Sequence, residues 1–124
     1  MVARNRYKET QVPFEKAART ATSSTTFACG SLGGLFFINC TLDPADASVV
    51  FTIKGTDPLI STEYTILESE AITGVGLTVL RIHPSLTASA NTIAKDILPG
   101  NITITATHAD ADTITYAVSF IGVD

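Results

Sequence analysis

From Ile102 to Phe120 the chain alternates its residue types with a period of two. Ile102, Ile104 and Ala106 alternate with Thr103, Thr105 and Thr107, and Ile114, Tyr116, Val118 and Phe120 alternate with Thr113, Thr115, Ala117 and Ser119. Successive side chains of a strand point to opposite faces, so this period describes strands with one buried face and does not make a helical stripe. The composition agrees. Nineteen Thr, twelve Ile and eight Val are β-branched; such residues lose side-chain freedom in helices and fit a pleated surface. With 45% hydrophobic and 16% charged residues the chain has apolar surface to bury, and 124 residues suit one core rather than two. No run of about 18 apolar residues occurs, so no membrane span is expected. The basic start lacks an apolar signal core, so export by that route is not expected.

Turn residues divide the remainder into further strands. Thr22 to Ala28 is Thr- and Ser-rich and reads as a polar edge strand, ending at Gly30-Ser31-Leu32-Gly33-Gly34, which reads as a hairpin turn. Leu35 to Leu42 is a nearly continuous apolar run, as expected of a strand covered on both faces. Asp43-Pro44 breaks it. Ala47 to Lys54 alternates again, with Val49, Phe51 and Ile53 on one face. Tyr64 to Leu67 and Leu77 to Ile82 read as two more strands. Between Ser85 and Pro99, Leu86, Ala90, Ile93, Ala94 and Ile97 fall at helical spacing, with Ser85 placed to cap and Pro99-Gly100 to stop, which predicts a short helical crossover. The polar link from His108 to Asp112 suits a hairpin between the last two strands.

Seven short strands punctuated this often predict an all-β fold, an antiparallel β-sandwich of jelly-roll or immunoglobulin-like type over residues 21–124. The strands can be satisfied within one chain or shared in a homo-oligomer. Residues 1–20 are set apart by charge. They hold Arg4, Arg6, Lys8, Lys16 and Arg19 against Glu9 and Glu15, a net charge of +3, whereas the rest holds Lys54, Arg81 and Lys95 against ten carboxylates, a net charge of −7. The expected organisation is a basic, extended N-terminal arm on an acidic body. An acidic body repels phosphate, which speaks against nucleic acid as a partner.

Chemistry is thinly represented. Cys29 and Cys40 are too few for a disulfide framework, would need a register shift to meet across a hairpin, and read as small buried apolar residues. No paired ligand spacing joins them to His83 or His108, so no zinc site is expected. No G-x-S-x-G elbow occurs, and both histidines lie beside turns. His83 reads as a solvent-exposed loop residue. His108, Asp110 and Asp112 alternate along one loop but lack the glycine and distal glutamate of a calcium loop, and acidic turn residues account for them. Glu68 and Glu70 share a strand face without an aromatic sugar platform, and Trp is absent. The glycine run has neither the lysine nor the helix of a phosphate loop. Asn39-Cys40-Thr41 and Asn101-Ile102-Thr103 fit the glycosylation triplet at about the frequency chance allows, and Asn39 sits in an apolar run where a glycan is not expected to fit. The reading is non-enzymatic, with no cofactor and no metal.

Several segments together resemble small β-sandwich structural proteins of tailed-bacteriophage virions. They are Gly34-Leu35-Phe36-Phe37-Ile38, the stretch from Val50-Phe51-Thr52-Ile53 to Lys54-Gly55-Thr56-Asp57-Pro58, and Tyr64-Thr65-Ile66-Leu67 followed by Ala71-Ile72-Thr73. Val79-Leu80-Arg81-Ile82-His83-Pro84 and the closing Ile114-Thr115-Tyr116-Ala117-Val118 complete the set. The resemblance covers residues 33–124, in style and order, without a diagnostic motif. It implies a virion component assembled in the host cytoplasm. Among such components a capsid decoration or cementing protein, bound to the major capsid protein or another virion protein, fits the size. In that setting Arg4, Arg6, Lys8, Lys16 and Arg19 would meet carboxylates on the shell, and Val12, Pro13 and Phe14 would add apolar anchoring. A tail, neck or fibre protein, or a carbohydrate or cell-surface binding module, are the alternatives.

Overall fold

Burial with a period of two, expected of the last strands, runs through both layers of the structure. The computed structural model describes residues 7–124. Nine strands form among the described residues: β1 (Tyr7–Arg19), β2 (Ser23–Ala28), β3 (Gly33–Leu42), β4 (Val49–Thr56), β5 (Glu63–Glu68), β6 (Gly76–Ile82), β7 (Ile93–Ala94), β8 (Asn101–His108) and β9 (Ile114–Val123). Sheet A has the order β1-β9-β3-β6-β7 and sheet B the order β2-β8-β4-β5. Every pairing is antiparallel except the two-residue match of β7 to β6. The two sheets make a β-sandwich.

The core lies between them. Ile114, Tyr116, Val118 and Phe120 of β9 and Phe36, Ile38 and Cys40 of β3 point inward from sheet A. Val49, Phe51 and Ile53 of β4 and Ile102, Ile104 and Ala106 of β8 answer from sheet B. The face expected for Val49, Phe51 and Ile53 is therefore the buried one, and β2 is an edge strand as its polarity foretold. Two aromatic clusters fill the core. Phe36 stacks at 4.8 Å from Phe120 with Phe27 beside both, and Tyr116 lies 5.1 Å from Phe51 and 6.0 Å from Phe14, edge to face. Edge-to-face and tilted rings match the quadrupoles of their partners better than a face-to-face sandwich would. Both cysteines are free and buried, as small apolar residues should be.

Several expectations need correction. The helix over Ser85–Pro99 does not form. β6 has an open edge whose donors must be met: Arg81 N–H bonds the Thr92 carbonyl at 2.9 Å and His83 N–H bonds the Ala94 carbonyl at 3.1 Å. Asn91 takes a left-handed φ of 64° within a turn, and of this segment Ile93 and Ala94 lie extended, as β7. Edge pairing to an existing sheet outweighs the helical spacing of a stretch that also contains Thr87, Thr92 and Ile93, poor helix formers. Ile97 is left exposed and Leu98 goes inward instead.

Neither expected hairpin exists. β2 and β3 lie in different sheets, as do β8 and β9, so Gly30–Gly34 and Ala109–Thr113 are crossings between layers. A hairpin would turn both apolar faces to one side, whereas a crossing puts Ile104 and Ala106 on one wall of the core and Ile114 and Tyr116 on the other. The run Leu35–Leu42 is covered on one face only; Leu35 and Phe37 are half-buried on the other. Residues 7–19, expected to extend from the body as part of an arm, pair along β9 from Tyr7↔Val123 to Arg19↔Ile114, with three irregularities in register.

Gly34 is held by close approach. A methyl group there would collide with the Phe120 ring and lie 2.8 Å from the Ile121 carbonyl oxygen. Gly34→Ala should cost about 1–3 kcal/mol, since the overpacked ring cannot move without disturbing Phe36. Urea unfolding checks this; an unchanged midpoint would show that the contact can relax.

Candidate functional site

The residues expected to bind a partner separate once β1 is in place. Arg4 and Arg6 lie outside the described residues, and of Lys8 only the backbone, within β1, is described. Val12 and Lys16 face solvent. Phe14, by contrast, is 5% exposed and belongs to the protein's own core, wedged between Phe51 and Tyr116. Pro13 is buried beside it. Their apolar surface is engaged within the chain and is not available as an anchor.

Arg19 is also turned inward. The register of β1 on β9 shifts between Gln11 and Phe14 and again between Phe14 and Ala17. The guanidinium folds back over this irregular stretch. Nη1 donates to the Tyr116 carbonyl at 2.9 Å and the Ala17 carbonyl at 3.2 Å, and Nη2 donates to the Glu15 carbonyl at 2.6 Å. The cation also lies 4.8 Å from the Tyr116 ring centroid and 5.2 Å from that of Phe14. A planar fork of donors above two rings suits Arg and not Lys.

At the hydroxyl of Tyr116 sits His108, the last residue of β8. Its Nε2 is 3.0 Å from the Tyr116 hydroxyl, and its buried Nδ1 has no hydrogen-bond partner. Burial first and the Arg19 charge second hold its pKa below the usual histidine value, against a smaller upward pull from Asp110. Burial likewise pushes the Tyr116 phenol and both thiols up. His108 thus turns away from the acidic loop, where Asp110 accepts from the Asp112 N–H at 3.0 Å in a local turn. His83, expected to be an exposed loop residue, is half-buried and tied: its Nε2 lies 2.9 Å from the Asp124 carbonyl oxygen, and its Nδ1 accepts from the Ser85 N–H.

The broadest feature is the contrast between the two outward faces. Across sheet A the register aligns three rungs from β9 through β3 to β6: Ile121–Leu35–Arg81, Ser119–Phe37–Val79 and Ala117–Asn39–Leu77. Six of these nine residues are apolar and one is charged. Leu77 is 60% exposed, with exposed Leu42 and Val75 at the adjoining strand ends. Across sheet B the rungs are Ser24–Thr105–Thr52–Glu68 and Thr26–Thr103–Lys54–Thr65. Ser24 and Thr105 share a hydrogen bond at 2.8 Å, and so do Thr26 and Thr103. One outer face is therefore apolar and the other hydroxylic and charged. The alternation held this signal, since Leu35 and Phe37 are the outward set of β3 and the threonines that of β8.

Asn39 is exposed on the outer face of sheet A, so the crowding expected around it does not exist; Asn101 is exposed as well. A shallow, open groove of about 390 Å³ lies between β5 and residues 88–96, lined by Ile66, Leu67, Asn91, Ile93 and Ala94 among others. Among the described residues no group of three His, Cys, Asp or Glu side chains gathers to hold a metal ion. No family model matches the chain, and no curated protein matches it.

Arg19→Ala removes three donated hydrogen bonds and two ring contacts and should destabilise the fold by about 1–3 kcal/mol. Arg19→Lys should recover less than half, because an ammonium cannot span the Glu15 and Tyr116 carbonyls together. Equilibrium denaturation of the three proteins checks the order; full recovery by Lys would mean that charge alone matters.

Proposed function

We propose that this chain is a non-enzymatic structural protein of a tailed-phage virion, a capsid decoration or cementing protein that binds the outer surface of the head. The virion assignment comes from the sequence resemblance. The observation that supports an attachment role is the contrast between the outer faces. A contiguous apolar face on a small protein marks an interaction surface, whereas hydroxyls and charges are readily left in water. In this reading the outer face of sheet A, centred on Phe37, Leu77 and Val79, lies against the major capsid protein or another virion protein. The outer face of sheet B looks outward.

The basic segment keeps a share of the role. Arg4, Arg6, Lys8 and Lys16, with Val12 at the exposed edge of β1, would meet carboxylates at a junction between shell subunits. Many modest contacts repeated over a lattice hold by avidity, and such contacts weaken with salt. Phe14 and Arg19 drop out of that set because both are engaged inside the fold.

Sedimentation of the purified protein with full particles tests the reading. The wild type should co-sediment, with occupancy falling as salt rises. Phe37→Glu should lower occupancy at least tenfold while leaving the circular dichroism spectrum unchanged, because it places a charge in an interface core. Thr105→Glu, on the hydroxylic face, should bind as the wild type does. A wild type that stays in the supernatant, or equal binding by Phe37→Glu, would reject the proposal.

A further inference from the structure

Two groups from two other strands meet at the ring of Tyr116. Tyr116 of β9 receives Arg19 of β1 over its face and on its carbonyl, and His108 of β8 at its hydroxyl. The histidine's two nitrogens have unlike surroundings. Nε2 has the tyrosine oxygen at 3.0 Å, and Nδ1 is buried with no partner. Either neutral tautomer leaves one polar hydrogen of the pair unmatched, on the Tyr116 hydroxyl if Nε2 donates and on Nδ1 if Nε2 accepts. The doubly protonated ring leaves both unmatched, since Nδ1 then carries an N–H without an acceptor and Nε2 has no lone pair to offer Tyr116, and it sets a second cation beside Arg19.

We propose that His108, Tyr116 and Arg19 form an acid-sensitive latch that ties the N-terminal strand β1 to the sandwich and loosens its Glu15–Arg19 end when His108 takes up a proton. The inference rests on the sandwich alone and holds whatever the protein binds.

The surrounding charges decide whether the latch responds. From β1 the opposing charge is Arg19; the side chains of Glu15 and Lys16 are exposed, and Glu15 contributes its carbonyl to the clamp. The following loop brings Asp110, which favours protonation but is itself exposed and bonded to the Asp112 N–H, and Asp112, also exposed. β4 contributes Val49, paired with His108, and the segment before β2 contributes the Thr22 hydroxyl, which accepts the His108 backbone N–H at 3.0 Å. No carboxylate is bonded to Nδ1. Desolvation and Arg19 therefore outweigh Asp110, and the buried Nδ1 gains an acceptor for a second proton only when the ring moves away from its present place.

The sign follows. With the folded-state pKa lowered, the latched and open states bind the same number of protons above pH about 6.5, and the open state binds more below it. The open fraction should rise by up to tenfold for each pH unit below about 6.5, until the folded-state pKa is passed.

Hydrogen exchange of the full chain between pH 7.5 and 5, corrected for intrinsic rates, reads this at the amides of residues 15–19. Wild type should lose protection there as pH falls. His108→Gln can still donate to Tyr116 but does not titrate, and should hold its protection constant. His83→Gln, at the opposite end of β9, should keep the wild-type slope. Nuclear magnetic resonance titration of the His108 ring in the wild type gives a second measure independent of any variant, with a midpoint below about 6.5 expected. Protection that does not change with pH in the wild type, equal slopes in wild type and His108→Gln, or a midpoint at or above 6.5 would each overturn the latch.

Discussion

The constraint on which the rest depends is that a strand has two faces and no third place to put a side chain. Once Ile114, Tyr116, Val118 and Phe120 are committed to the core, Thr115, Ala117, Ser119 and Ile121 must stand on the outside of sheet A. The same holds for β3, β4 and β8. Core and surface are therefore chosen by one pattern, and the character of each outer face follows from the residues that the core does not use. On β8 the unused residues are threonines, which hydrogen-bond across to β2. On β3 and β6 they include Leu35, Phe37, Leu77 and Val79, which have no hydrophilic task and are covered by no strand, since the two sheets hold every strand among the described residues.

The N-terminal strand shows how a basic segment becomes structural. β1 is long and irregular, with Pro13 near its centre, and such bulged, proline-bearing strands protect a sheet edge from pairing with other chains. At this irregular stretch Arg19 donates to three backbone carbonyls, those of Glu15, Ala17 and Tyr116. Phe14 closes the core from the same strand. The edge is thus held by one aromatic ring and one cation, both meeting Tyr116, and by the pairing to β9 itself.

Much of this was legible in the residues. The alternation of β4, β8 and β9, the polarity of β2 and the burial of both cysteines followed from period and composition. What escaped was decided by partners far away in sequence. The spacing of Leu86, Ala90, Ile93 and Ala94 is helical, but the open edge of β6, some ten residues upstream, takes Ile93 and Ala94 as a short strand. Gly30–Gly34 and Ala109–Thr113 have the chemistry of tight turns, and only the opposite sheet determines whether such a turn closes a hairpin or crosses between layers. Arg19 read as a free cation because nothing local reveals that β1 would be irregular opposite Tyr116. The apolar outer face was present in the out positions of β3 and β6. The run Leu35–Leu42 disguised it, because an uncovered apolar strand and a doubly covered one have the same sequence.

A protein built this way offers shape and an apolar plane more readily than reactive groups, and the attachment reading rests on which plane meets a partner. Hydroxyl-radical footprinting of the protein free and on full particles measures that directly. Leu35, Phe37 and Leu77 should lose reactivity on the particle, while Val50 and Lys54 on the outer face of sheet B should keep theirs. Protection centred on Val50 and Lys54, or none on either sheet, would contradict the account.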